Sequence, residues 1–290
     1  MYYFDLHADT PYVLDLKKEA ESCVDLINHP FERYNQVMAI FLKDNEAQPF
    51  NSYNRRVKLI KHHLERCNFP LVSGDFKMGS GAIFSVENAG FLADDLNFLY
   101  TLKNDGVKLL SLTWNGDNLL ASGANGNGGI TPLGREAIRE MNRLGLALDI
   151  SHLSHRAAME GIELADKVLA THSALYSLNP HQRNLKNEHL LALKQKGGIV
   201  GICFYPLFLG GEDVFERIYN SIEHLISLGM EKNIAFGSDF DGAEMAEILC
   251  KTKQVTNLFD ALHQKGLEKS LLNRVFCQNA IDFFDKICNN

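Results

Sequence analysis
The sequence predicts an α/β fold, a single (β/α)8 TIM-type barrel spanning residues 1–290, from three observations. Eight short β-branched or aromatic runs recur along the chain, and stretches of helical period separate most of them. The 290 residues also fit one barrel of roughly 250 residues with modest insertions. Strands that alternate with helices pair in parallel, because a helical crossover returns the chain to the same end of the sheet. The nucleotide-binding versions of the open doubly wound alternative lose support. No Gly-x-Gly-x-x-Gly follows the first run, and the chain has no Gly-Lys-Ser/Thr loop.

The eight runs are Tyr2–Leu6, Gln36–Leu42, Gly81–Val86, Val107–Leu112, Leu146–Ile150, Lys167–Ala170, Gly198–Phe204 and Ile234–Gly237. Between the third and fourth, Leu92, Leu96, Leu99 and Leu102 fall on one face of a helix that ends before Gly106. Between the fourth and fifth, Leu133, Ala137, Met141 and Leu144 do the same. There Thr131 suits the N-cap, Pro132 the first helical position and Gly145 the position after the C-cap. Ser122–Gly129 is Gly-rich but lacks a phosphate-binding Lys. It reads as a flexible surface loop and, from its glycines, as the cover of the barrel mouth. No repeat or low-complexity linker marks a domain boundary.

Composition narrows the function. With 46% hydrophobic residues and seven prolines the chain can bury a sizeable core, which excludes disorder. The 29 basic against 36 acidic residues give a net charge of −7, and no basic cluster exceeds a pair such as Arg55-Arg56, so neither nucleic acid nor an anionic membrane is an expected partner. The most apolar stretch, Gly197 to Gly211, is interrupted by Gly201 and Pro206 and falls short of the ~20 residues of a spanning helix. The start, Met1-Tyr2-Tyr3-Phe4-Asp5, lacks the basic and apolar regions of a secretory signal, so the expected location is cytoplasmic. Cys23, Cys67, Cys203, Cys250, Cys277 and Cys288 form no Cys-x-x-Cys pair and read as reduced thiols rather than a thiolate zinc site.

Metal-ligating side chains recur at the strand ends. His7 and Asp9 follow the first run, Glu87 the third, His152 the fifth, His172 the sixth and Asp239 the eighth. In a barrel these positions converge on the C-terminal mouth, where the active sites of this fold are built. His7 and Asp9 are two apart, so in extended chain both point to one side and can share an ion. His152 and His172 come from adjacent strands, and the two oxygens of Glu87 can bridge a second ion to the first. Imidazole and carboxylate donors without thiolate suit catalytic zinc, two ions per chain, with Mn2+ or Co2+ as substitutes. Such a pair lowers the pKa of a shared water and polarises a carbonyl, which makes hydrolysis the natural reaction. His29, His62, His63, His189, His224 and His263 read as structural or surface residues, and His155 as a helix-start residue facing solvent. His181, two before Arg183, stays open between mouth and surface.

Five segments now carry a resemblance: DLHADTP around His7 and Asp9, FSVENAG around Glu87, LDISHLS around His152, THSAL around His172 and FGSDFDG around Asp239. In this order the chain resembles the membrane (renal-type) dipeptidase family of zinc hydrolases, peptidase family M19, from FDLHADTPYVL to FCQNAIDFF. The resemblance implies a (β/α)8 barrel with one zinc on His7 and Asp9, a second on His152 and His172, and Glu87 between them. It also implies that Arg183, in HQRNL, holds the substrate's C-terminal carboxylate, which a guanidinium fork matches through two parallel hydrogen bonds. Asp239 is the implied general acid/base, with Asp241 the alternative, and Tyr205 in GICFYP matches a family Tyr near the substrate. One departure concerns chemistry. Where renal-type members read Leu-Thr-His this chain reads SLTWNGDN, so Trp114 replaces a substrate-contacting His. Trp offers one N–H donor and no acid/base capacity, while the adjacent Asn115 can donate from its amide.

The expected function is a dinuclear zinc dipeptidase with altered substrate preference. It would cleave dipeptides, including those with a C-terminal D-residue, by attack of a metal-bridging hydroxide, and Asp239 would pass the proton to the leaving amine. No C-terminal anchor pattern is seen, so membrane attachment is not expected, and a homodimer is the commonest oligomer for such a chain. One alternative is a related binuclear hydrolase of a lactam, lactone or cyclic imide, in which a modified Lys often stands where Glu87 stands here. The other is a binding protein, for which keeping five metal ligands has no purpose.

Overall fold
The structure, a computed structural model, describes residues 1–72 and 79–288, the side chain of Cys288 excepted, so that thiol lies outside the described residues. Eight parallel strands close in chain order: β1 (Tyr2–Ala8), β2 (Arg33–Phe41), β3 (Gly81–Glu87), β4 (Val107–Leu110), β5 (Ala147–Asp149), β6 (Val168–Ser173), β7 (Val200–Ile202) and β8 (Ile234–Phe236). The ring closes where Asp5 of β1 pairs with Phe236 of β8. The principal outer helices are α1 (Thr10–Asp15), α2 (Pro49–Arg66), α3 (Phe98–Asp105), α4 (Pro132–Leu144), α5 (His155–Leu164), α6 (Asn187–Gln195), α7 (Pro206–Leu209), α8 (Val214–Ser227), α9 (Val255–Gln264), α10 (Lys269–Asn273) and α11 (Asn279–Cys288). The barrel expected from the alternating runs is therefore the one observed. Among the described residues no helix is long and apolar enough to cross a membrane.

Local signals hold where the side chains themselves make the element. Thr131 caps α4 by accepting from the Gly134 N–H, Pro132 opens it, and Gly145 leaves it at φ 74°. The helix expected across Leu92 to Leu102 is instead split into a 3-10 turn at Ala89–Ala93 and α3. Asp95 causes the break: its carboxylate accepts from the Asn97 N–H and its carbonyl from the Phe98 N–H. Leu99 and Leu102 are buried as the periodicity requires. Strand ends also differ from the apolar runs. β1, β3 and β6 continue to Ala8, Glu87 and Ser173, so His7, Glu87 and His172 lie within strands rather than after them. Pairing with neighbouring strands extends these elements through polar residues that hydrophobicity alone would exclude.

One end of the barrel is plugged and the other is left for chemistry. Phe4, Leu6, Val37, Ile83, Leu109, Ala147, Leu169 and Ala235 form an inner cluster with Ala280, Ile281, Phe284 and Ile287 of α11. Phe4 stacks on Phe284 at 5.1 Å, and Lys167, just before β6, donates to the Ile287 carbonyl. The C-terminal helix thus seals the end where the strands begin. Burial of this apolar set, at about 25 cal/mol per Å2, supports the rigid floor beneath the polar mouth.

Two irregularities aim ligands at that mouth. β1 loses register with β2 between Asp5 and Ala8, and β6 loses register with β7 between Ala170 and Ser173. In each, one extra residue on the bulged strand lets consecutive side chains face inward, Leu6 with His7 and Thr171 with His172, which a regular period of two forbids. Gly237 and Gly201 make room for the β6 bulge, because a Cβ on either would lie 1.7 Å or 1.9 Å from the Thr171 carbonyl oxygen. Gly237→Ala is therefore expected to lower stability by at least about 1–3 kcal/mol, the range for overpacking, measured by urea denaturation of the wild type and variant side by side.

Candidate active site
At the open end the bulges, strand ends and following loops bring six ionisable side chains together. His7, Asp9, Glu87, His152, His172 and Asp239 are all buried. His7 Nε2 lies 2.9 Å from Glu87 Oε2, 3.3 Å from Asp9 Oδ2 and 3.9 Å from Asp239 Oδ1. His152 Nε2 lies 3.0 Å from the other Glu87 oxygen and 2.9 Å from His172 Nε2. His152 and Asp239 sit just after their strands with φ of 69° and 64°. His and Asp enter this left-handed region more readily than most residues, and each such position costs on the order of 1–3 kcal/mol.

The histidine tautomers follow from their outer partners. Thr171 Oγ1 donates its one hydroxyl proton to Asp149, so it can only accept from His172 Nδ1 at 2.9 Å. That leaves a lone pair on His172 Nε2, and the same oxygen lies 3.4 Å from His7 Nδ1. His152 Nδ1 likewise donates to Asn115 Oδ1 at 3.0 Å. Two Nε2 lone pairs facing each other at 2.9 Å, with buried Asp9 Oδ1 lacking a hydrogen-bond partner among the described residues, are what a divalent cation would satisfy. Three donor groupings share the cluster: His7, Asp9 and Glu87; Glu87, His152 and His172; and His7, His172 and Asp239. The side chains present therefore fit metal ions held by imidazole and carboxylate.

Two aspartates inside the strands staple this arrangement. Asp5 accepts from the His7 N–H, the Ser238 N–H and the Ser238 hydroxyl, next to Asp239. Asp149 accepts from the Ser151 N–H, the Thr171 N–H and the Thr171 hydroxyl, next to His172. Each carboxylate ties one strand end to another and fixes the residue that follows the hydroxyl. The sequence reading missed both. The signal was present as an Asp inside each apolar run, in FDLHA and LDISH.

Electrostatics match this layout. Burial and the Arg183 cation lower His152 to about 4. Burial and its two imidazole neighbours hold His172 well below the usual range, so both remain neutral ligands. Burial alone would lower His7, but the Asp9 and Glu87 carboxylates outweigh it and raise His7. Glu87 stays ionised well below its ordinary value, because His152 and His7 overcome the cost of burial. Burial, with the Glu87 charge, raises Asp9 to about 6. Asp239 rises to about 7 through burial, an effect the His7 charge opposes and the Asp9 and Glu87 charges reinforce.

A cavity of about 350 Å3 opens above the cluster, lined in part by Asp9, Tyr12, Phe41, Glu87, Trp114, Asn115, His152, Tyr205, Phe208 and Asp239. Trp114 and Tyr205 reach it as expected. Asn115 does too, but its carbonyl oxygen is committed to His152, which leaves only its NH2 for a ligand. Arg183 is buried beside the cavity rather than lining it. Its Nη2 lies 3.1 Å from His172 Nε2, and its Nε has no hydrogen-bond partner among the described residues. Asp241, the alternative acid/base, also lines the cavity, and its carboxylate accepts from the Thr10 and Ser22 hydroxyls and the Cys23 N–H. Cys203, read as an ordinary free thiol, sits with Sγ 3.7 Å from Asp239 Oδ2.

Two further expectations change, and the reading left open for His181 is decided. Ser122–Gly129 lines none of the cavity and is laced down, its Ser122 hydroxyl bonded to Asp117 and Gly128, and the Gly128 carbonyl to Ser154. His155 starts α5 but is half-buried, with Nε2 on the Asn184 carbonyl and its ring against His189 and Tyr176. His181 does not line the cavity. It accepts from the Arg183 N–H and packs on Phe208, so it shapes the Arg183 segment.

Two outcomes are expected. Thr171→Val removes the acceptor that orients His172, so purified protein should carry less metal by elemental analysis, about 10–100-fold weaker in affinity, while Thr171→Ser retains it. Asp239 is raised in the folded chain, so its contribution to stability is present at acid pH and lost as pH rises from about 4 through about 7. After chelation Asp239→Asn should therefore be the more stable protein at pH 8, by on the order of a few kcal/mol at about 1.4 kcal/mol per unit of pKa. At pH 4 the two should melt nearly together.

Comparison with known proteins places this geometry. A model of the membrane dipeptidases, peptidase family M19, matches residues 73–289. Dipeptidase tcpJ of Claviceps purpurea is 28% identical over 216 residues, which cover 71% of this chain and 51% of the relative, so the chain spans about half the relative's length. A solved dipeptidase described as a metallopeptidase of family M19 has a TM-score of 0.89 at 22% identity and covers 100% of this chain and 99% of its own. A metallopeptidase of Rhodobacter sphaeroides, solved with a phosphinate mimic of the dipeptide L-Ala-D-Ala, has a TM-score of 0.86 at 22% identity, with 99% of each chain covered. At these identities the solved structures agree with the barrel, while the match in sequence spans well over half the chain. The chain belongs to the membrane dipeptidase family, peptidase family M19.

Proposed function
We propose that the protein hydrolyses dipeptides, including those with a C-terminal D-residue, at a site that takes two zinc ions. The observation that carries this reading is the buried cluster of five ligand-type residues and Asp239 beneath a cavity of about 350 Å3. That volume is at the small end of ligand sites, roughly 300–1,000 Å3, and suits two residues better than an extended peptide. Family membership supports the substrate class, as does the L-Ala-D-Ala mimic bound by the Rhodobacter sphaeroides relative.

The residues divide the metal-binding work as the geometry suggests. His7 and Asp9 would hold one ion and His152 and His172 the other, since Glu87 turns Oε2 toward the first pair and Oε1 toward the second. Bound there, the ions would supply an activated water and polarise the scissile carbonyl. Arg183, beside the cavity with a buried Nε that has no partner among the described residues, carries a planar fork suited to a substrate carboxylate. Asp239 lines the cavity with its carboxylate 3.9 Å from His7 Nε2, placed to take a proton and return it to the departing amine. Its backbone is fixed for this task, because its N–H donates to the His7 carbonyl and the preceding Ser238 is stapled to Asp5. Trp114 carries no exchangeable acid or base, so proton transfer rests on Asp239.

The test is hydrolysis of L-Ala-L-Ala, L-Ala-D-Ala, a tripeptide and a lactam by zinc-loaded protein beside Asp239→Asn. Both dipeptides should be cleaved and the tripeptide left intact, with chelation abolishing turnover. Asp239→Asn should lower kcat about 10²–10⁴-fold, the usual contribution of a positioned acid/base. Lactam turnover without dipeptide turnover would replace this reading with that of a cyclic-amide hydrolase.

A further inference from the structure
The cavity is walled by two groups of aromatic rings, and from their placement we infer that the site selects dipeptides whose N-terminal residue carries a large apolar side chain. The inference rests on the dipeptidase reading above. On one side Tyr205 and Phe208, from the segment after β7, meet edge to face at 5.0 Å, and the Arg183 guanidinium lies 5.2 Å from the Phe208 ring centre. On the other, Tyr12 of α1, Phe41 at the end of β2 and Trp114 after β4 form a continuous wall. The Phe41 ring is 5.5 Å from Tyr12 and 5.2 Å from Trp114. In a closed ring of eight strands β2 stands opposite β6. A dipeptide whose carboxylate is held by Arg183, in the segment after β6, therefore directs its other residue toward the Tyr12, Phe41 and Trp114 wall.

The state of that wall specifies what it accepts. Tyr12 and Trp114 are only half-buried, and both line the cavity. A large apolar side chain laid against them removes ring surface from water, whereas a glycine leaves it wet. A cationic side chain meets a wall already supplied with cations, since Lys43 lies 5.5 Å and Arg56 5.0 Å from the Tyr12 ring centre. Trp114 thus makes one side of the mouth an apolar surface, where the resemblance to renal-type members implies an ionisable His.

The experiment measures kcat/KM of zinc-loaded protein for dipeptides with Gly, Lys, Leu or Phe at the N-terminus, each with L-Ala and with D-Ala at the C-terminus. Leu and Phe should exceed Gly and Lys by about tenfold or more, in line with the gain from burying a large side chain. The Phe-to-Gly ratio should shrink to within about threefold in Trp114→Ala, and Phe41→Leu, which keeps the site apolar, should shrink it less. The wild-type ratios need no variant, so loss of folding in Trp114→Ala leaves the test standing. Cleavage of all substrates with no preference for Leu and Phe, or a ratio that a folded Trp114→Ala leaves unmoved, overturns the inference while the dipeptidase reading survives. Cleavage of none overturns both.

Discussion
The rest of the structure answers to one constraint: six ionisable side chains are buried within a few ångströms of one another. Three carboxylates cannot ionise freely in such a place, and burial with mutual repulsion pushes Asp9 and Asp239 toward neutrality. Glu87 escapes because two imidazoles face its two oxygens. His152 and His172, held neutral by burial, contribute lone pairs instead of charge. The arrangement is expensive for the chain by itself and would be favourable around divalent cations.

Holding such a cluster in place needs rigid support on all sides. Below it, α11 fills the barrel with apolar side chains. Around it, Asp5 and Asp149 each bind a hydroxyl on another strand end, and Ser238 and Thr171 in turn immediately precede Asp239 and His172. Thr171 is the tightest point. Its hydroxyl orients His172 and approaches His7, while its carbonyl fills the space left by Gly201 and Gly237. A bulge in β6, two glycines on β7 and after β8, and one carboxylate on β5 therefore act together on the orientation of a single imidazole. The left-handed backbone at His152 and Asp239 is tolerated because these contacts over-determine it.

Above the cluster the chemistry of the walls changes from polar to aromatic. Asn115 turns its carbonyl oxygen to His152, and Trp114 beside it turns outward against Phe41. Neighbouring residues thus serve different ends, one bonding an imidazole of the cluster and the other bounding the cavity. The first role is available to Asn because a carbonyl oxygen accepts from an imidazole N–H, and the second to Trp because its large ring covers a neighbour.

The sequence by itself determined the barrel, since eight β-branched runs separated by helical periods admit few other parallel arrangements, and it located the residues of the cluster at or near strand ends. It also contained local punctuation such as Thr131, Pro132 and Gly145, whose effect depends only on residues within one helical turn. Only the tertiary structure decided which consecutive residues turn inward at the β1 and β6 bulges. A bulge is defined by the partner strand, and Leu6-His7 or Thr171-His172 looks like an ordinary alternation until register with β2 or β7 is known. The same reason hid the roles of Asp5, Asp149 and Thr171. It also hid the contact of Cys203 with Asp239, and the fact that Ser122–Gly129 is pinned away from the mouth. Hydrogen bonds such as Thr171 to Asp149 and Ser238 to Asp5, 22 and 233 positions apart, leave no periodic trace in a chain, whereas burial of an apolar face does.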